Sequence, residues 1–139
     1  MIDRERANSR PAGIFFVGRA PSRYARTPTC PHRPVTTDAI VVLCSCPDEP
    51  TAAQIAGQLV AEHLAACVQR LPGVRSVYRW EGAVRDEPEV LLAIKTTESA
   101  YQALEMRLKA LHPYDVPEII ALPIVAGSGD YLSWIAAES

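Results

Sequence analysis

The sequence has no apolar run near the roughly 20 residues that a membrane helix requires, so nothing in it reads as a span. It has no C-x-x-C and no disulfide-framework spacing. Cys30, Cys44, Cys46 and Cys67 therefore read as free thiols of a reducing, cytoplasmic compartment. It lacks the G-x-S-x-G turn of an oxyanion site, a glycine-rich phosphate loop and a local H-x-x-x-H. A Cys67–His112 thiolate pair is conceivable chemistry, but nothing in the sequence orients such a base, so no catalytic residue is assigned and a non-enzyme is expected. Basic residues are scarce beyond the first 38. Seven of the 14 lie in that opening stretch, whereas thirteen of the 16 acidic residues lie after it. An acidic domain lacks the basic face that nucleic acid needs.

Residues 1–38 form an Arg- and Pro-rich tail. It carries seven arginines against Asp3, Glu5 and Asp38, and prolines 11, 21, 28, 31 and 34. Its apolar patch, Ile14 to Val17, is shorter than the roughly 7–15 residues of a secretory core segment. Three readings stay open: a disordered basic arm, a transit peptide (against which Asp3 and Glu5 weigh), and residues added by a start codon placed too far upstream. A disordered tail is the expectation, because so little apolar surface cannot offset the entropy of ordering it.

Residues 39–139 have the pattern of one α+β domain. Ala39 to Cys44 is an apolar run of strand length, closed by Pro47-Asp48. Asp48 is an N-cap candidate, and Ala52, Ile55, Ala56, Leu59 and Val60 recur at helical spacing to about His63. Cys67 to Leu71 and Val74 to Trp80 form a strand bent at Pro72-Gly73. One face carries Val74, Ser76, Tyr78 and Trp80; the other carries Arg75, Val77 and Arg79. Glu81-Gly82 marks a turn, and Glu89 to Lys95 returns as a third strand. Thr97 caps a helix whose stripe is Tyr101, Leu104, Leu108 and Leu111, stopped by Pro113. Glu118 to Val125 is a fourth strand, and Asp130 is expected to cap a final helix.

The order β-α-β-β-α-β-α predicts a ferredoxin-like split βαβ arrangement with both long helices on one face of an antiparallel sheet. Val90 to Ile94 and Ile119 to Leu122 are nevertheless apolar on both faces, where a half-solvated strand should alternate. With no element assigned to the second face, another copy of the chain is expected to cover it.

The residues that carry chemistry fall into two sets. Cys44, Cys46, Cys67, His63, His112 and Glu118 supply metal donors. Cys67 with His112 is the preferred pair, with Cys44 behind it because it lies within an apolar strand. Thiolates favour Cu(I), and imidazole accepts Cu(II) or zinc. The second set is Tyr78, Trp80, Lys95, His112, Tyr114 and Glu118, gathered at strand ends and suited to a small polar or anionic ligand at a subunit boundary. The structural alternative is that its aromatics bury against a neighbour and Lys95–Glu118 is an ion pair.

A series of short motifs runs through Val41-Val42-Leu43-Cys44, Cys46-Pro47-Asp48-Glu49, Leu64-Ala65-Ala66-Cys67, Pro72-Gly73 and Val77-Tyr78-Arg79-Trp80-Glu81-Gly82. It continues through Ile94-Lys95-Thr96-Thr97, His112-Pro113-Tyr114, Val116-Pro117-Glu118-Ile119 and Tyr131-Leu132-Ser133-Trp134. In these motifs the chain resembles the CutA divalent-cation tolerance family. The resemblance spans residues 39–139 and none of the tail. It implies a ferredoxin-like homotrimer, similar in assembly to PII signalling proteins, with a role in tolerance of divalent metals such as copper. Metal would then be a partner without being a required cofactor. A PII-like sensor or scaffold is the alternative. Two departures stand out: Pro88, just before the third strand as read here, and Arg107, where some members carry a cysteine.

Overall fold

The computed structural model describes residues 37–139. The reading of residues 1–38 as a disordered tail lies, as far as residue 36, outside them. Within the described residues the order is β1 (Ala39–Cys46), α1 (Glu49–Ala61), β2 (Cys67–Trp80), β3 (Ala83–Thr97), α2 (Glu98–Leu111), β4 (Ile120–Pro123) and α3 (Gly129–Glu138). The four strands form one sheet in the order β2-β3-β1-β4, with every adjacent pair antiparallel. This is the split βαβ topology expected from the element order. Among these residues no helix is long and apolar enough to cross a membrane.

The period of two along β1 divides the domain. Ile40, Val42, Cys44 and Cys46 point to one face and are buried with Val90, Leu92 and Ile94 of β3. Ala52, Ile55 and Leu59 of α1 and Leu104 and Leu108 of α2 close that core from above. Local chemistry sets the helix ends. The Asp48 carboxylate accepts the Thr51 N–H at 2.8 Å and starts α1. At its other end Leu64 N–H bonds to Leu59 O and His63 N–H to Val60 O, with His63 at φ 55°. That is a Schellman ending with histidine in the usual glycine position, so His63 serves a helix terminus. Arg107 grips Glu62 with two nitrogens, at 2.9 and 2.6 Å, and ties α2 to α1.

Three boundaries depart from the sequence reading. β3 begins at Ala83, six residues before Glu89. Arg85, Asp86, Glu87 and Pro88 hide a strand whose pairing is supplied entirely by β2. β1 pairs with β3 only as far as Cys46–Val90, so beyond that point β3 is locally an edge, and Pro88 has no ladder bond to break there. The Glu81-Gly82 connection has φ of 49° and 79°, both positive as a two-residue type I′ turn needs. β4 is only four residues long, and Ser128, not Asp130, caps α3.

The second face is not bare along its whole length. α3 lays Leu132 and Ile135 onto Ala39 and Ala66, so one end of that face is covered from within the chain. The expectation that no element was available overlooked this helix, which is short but amphipathic. The rest of the face stays open: Leu71, Ile120 and Leu122 are 41%, 48% and 46% exposed.

Truncating Leu104, which is fully buried between α2 and the sheet, is expected to cost about 2–5 kcal/mol as Leu104→Ala. Met106→Ala, on the exposed side of the same helix, should stay within about 0.5 kcal/mol. Urea unfolding of both variants tests the assignment of that helix face.

Candidate functional site

Two arrangements meet where α2 ends against β1. The first is a buried cluster. Cys44 and Cys46 are two residues apart on a strand, so both thiols point into the helix-covered core, and His112 follows the last turn of α2. One donor atom from each of the three lies within 4.8 Å of the others, and all three residues are buried. The two thiols act on each other: hydrogen bonding to Cys46, together with burial, pushes the Cys44 thiol up. The bond from Cys44 holds the Cys46 thiol below its ordinary value, with burial opposing.

His112 is fixed at both ring nitrogens. The Tyr114 backbone N–H donates to Nδ1 at 3.1 Å, so Nδ1 carries the lone pair. Nε2 then carries the proton and donates it to the Ser45 carbonyl at 2.8 Å. This network selects the neutral Nε2–H tautomer.

The second arrangement is a cleft of about 530 Å³ on the other face of the sheet. Its floor is the β2–β3 hairpin, with Ser76, Tyr78 and Trp80 beside Glu87 and Glu89; its wall is the loop from Pro113 to Glu118. Glu89 is only 8% exposed. Ser76 Oγ donates to one of its oxygens at 2.5 Å, and the Tyr114 hydroxyl donates to the other at 3.3 Å. Tyr78 donates to Glu87 at 2.8 Å, which pushes its phenol up. Burial, aided by the Glu89 charge, pushes the Tyr114 phenol up to about 12.

The residues picked from sequence separate accordingly. Tyr78, Trp80, Tyr114 and Glu118 line the cleft, and His112 braces the loop behind it. Lys95 is elsewhere. It lies six residues from Glu89 along β3, about 20 Å away, and its ammonium donates to Gln69 and to the Ala93 carbonyl. Burial lowers its pKa. The proposed Lys95–Glu118 ion pair does not form among the described residues. Cys67 sits beside Lys95 and is level with Val41, four residues from Ser45, so at least about 13 Å of strand separates it from His112. The structure therefore brings His112 to Cys44 and Cys46, not to Cys67. Sequence reasoning set Cys46 aside and overlooked Glu87 and Glu89. The signals were a C-x-C spacing on a strand and the register from the Glu81-Gly82 turn, which counts Ser76 opposite Glu87.

The family model described as "CutA1 divalent ion tolerance protein" matches residues 40–138. The divalent-cation tolerance protein CutA of Thermus thermophilus is 54% identical over 95 residues, covering 68% of this chain and 92% of the relative. The CutA crystal structure from Xylella fastidiosa superposes with a TM-score of 0.72 at 45% identity, covering 73% of this chain and 98% of that one. A structure from Archaeoglobus fulgidus, described as a periplasmic divalent cation tolerance protein, superposes at 0.68 with 32% identity, covering 70% and 94%.

The Tyr114 assignment has an alkaline signature. An unfolded phenol ionises near 10 and the folded one near 12, so between those values the unfolded chain releases its proton first and stability falls as pH rises. Absorbance titration should show a late tyrosine ionisation that disappears in Tyr114→Phe. In Glu89→Gln it should move back toward 10 without reaching it, because burial, the larger cause, remains.

Proposed function

This chain belongs to the CutA1 divalent ion tolerance family, and we propose that it serves metal tolerance by binding a soft or borderline metal ion, copper above all, at Cys44, Cys46 and His112. The observation that carries this is the convergence of the three buried donors within 4.8 Å. The donor chemistry fits: two thiolates suit Cu(I), and an imidazole beside them also accepts Zn or Cu(II). The thiol with the lowered pKa, Cys46, is the one best placed to ligate first. The role is non-catalytic on this reading, since the sequence offers neither an oxyanion turn nor a phosphate loop. Free thiols at Cys44, Cys46 and Cys67 support a reducing, cytoplasmic location.

A second reading, a PII-like sensor or scaffold that takes a small ligand, is supported by the cleft itself. Its volume and aromatic lining are those of a ligand pocket.

Metal titration tests the first reading. Cys46→Ala and His112→Ala should each weaken Cu(I) or Zn(II) binding at least tenfold, and Cys67→Ala should leave it unchanged. Ligand protons leave on binding, so affinity should fall as pH falls. Loss of binding in Cys67→Ala with Cys46→Ala intact would move the site to the other end of the sheet.

The uncovered part of the second face supports a homotrimer, in which Ile120, Leu122 and Leu71 would be buried between copies. Light scattering should give three chains per particle at micromolar concentration. A stable monomer would count against the assembly, and Leu122→Lys should weaken it.

A further inference from the structure

The charge of the cleft had been expected to suit a polar or anionic ligand, with Lys95 as its cation. The structure reverses that sign. Glu87, Glu89, Asp115 and Glu118 line the cleft, and among the described residues no basic one does. Arg85, opposite Tyr78 on β3, is the neighbouring cation, and it is not part of the lining.

Glu89 is the decisive group. A carboxylate more than nine-tenths buried ordinarily has a cationic partner, because burying an unpaired charge is costly. Among the described residues Glu89 forms no salt bridge; its partners are the neutral hydroxyls of Ser76 and Tyr114. Both hydrogen bonds are to groups of the cleft, so the carboxylate lies at the cleft floor with hydroxyl partners and, among the described residues, no cationic one.

The form of the missing cation follows from the surroundings. A hard divalent ion needs several oxygens converging on one point. Yet the three-donor clusters among the described residues include no carboxylate group from the cleft. The carboxylates instead share the lining of the cleft with the rings of Tyr78, Trp80 and Tyr114. An aromatic wall with dispersed negative charge attracts an ammonium or guanidinium group on a small organic body, through the ring faces as well as the carboxylates.

We propose that the cleft binds a small organic cation, with Glu89 as its buried counter-charge and Tyr78, Trp80 and Tyr114 as its aromatic walls. This deepens the second reading above and rests on it, since it assumes that the cleft takes a small ligand.

Three probes of one shape and different charge provide the test: benzylammonium, benzyl alcohol and benzoate. Binding is followed by calorimetry on the full chain and by Trp80 fluorescence in a Trp134→Phe background. The expected result is saturable benzylammonium binding, at least tenfold tighter than benzyl alcohol, with benzoate weakest. Glu89→Gln, nearly isosteric, should remove most of that preference; its melting curve shows whether it has folded. If it has not, Asp115→Asn with Glu118→Gln, on the exposed loop, should reduce the preference in the same direction. Benzoate or benzyl alcohol binding as well as benzylammonium would overturn the cationic assignment and leave the cleft a ligand site. No saturable binding of any probe, as when another copy of the chain fills the cleft, would overturn both.

Discussion

The site hangs on one buried imidazole. His112 accepts from Tyr114 at Nδ1 and donates to the Ser45 carbonyl at Nε2. The first bond sets how the Pro113–Glu118 loop leaves α2; the second pins the end of α2 to the end of β1. Ser45 lies between the two thiols in sequence, and its carbonyl is the acceptor. The same bond therefore holds His112 against Cys44 and Cys46 on one side of the sheet and Tyr114 over Glu89 on the other. A tilted contact of 4.9 Å between the His112 and Tyr114 rings reinforces the arrangement. Apolar burial in the helix-covered core positions β1 and α2 but does not orient the loop. That task falls to two hydrogen bonds in a place where water does not compete for them.

Much of the fold was legible because its signals are local and repeated. The stripes of α1 and α2, the Asp48 and Thr97 caps, the Glu81-Gly82 turn and the stop at Pro113 each specify an element within a few residues, and together they give the strand order. The first half of β3 was hidden for a physical reason. Arg85 to Pro88 have no β propensity of their own, and they become a strand only because β2 pairs with them. The role of α3 was hidden similarly. Its Leu132 and Ile135 announce an amphipathic helix, but only tertiary structure shows that they pack on Ala39 and Ala66.

The site was less legible than the fold, since which polar groups meet depends on register. Lys95 and Glu118 are opposite charges near strand ends, but strands have two ends, and these residues occupy different ones. Cys67 and Cys44 both look like small core residues in sequence. What distinguishes Cys44 is a neighbour two positions on, because a strand returns to the same face every second residue. The same period makes β1 serve two environments: its even-numbered thiols enter the apolar core, while Ser45 between them borders the acidic cleft.

That alternation also constrains how a metal can use the cluster. In the neutral Nε2–H tautomer both imidazole nitrogens are already engaged, so a metal at Nδ1 would displace the Tyr114 N–H, and a metal at Nε2 would displace the Ser45 carbonyl and move the proton to Nδ1, which costs the Tyr114 bond as well. Each buried hydrogen bond is worth on the order of 1 kcal/mol net, and a buried group left without a partner costs more, about 1–3 kcal/mol. Metal–thiolate bonding is strong enough to meet such a cost; the thiols themselves give up the bond between Cys44 and Cys46 and their protons, but no contact of the loop. If a metal occupies the proposed cluster, Cys44 and Cys46 would on this accounting be the primary donors and His112 the dependent one. Its recruitment disturbs the loop that walls the cleft, whereas thiol ligation leaves that loop in place.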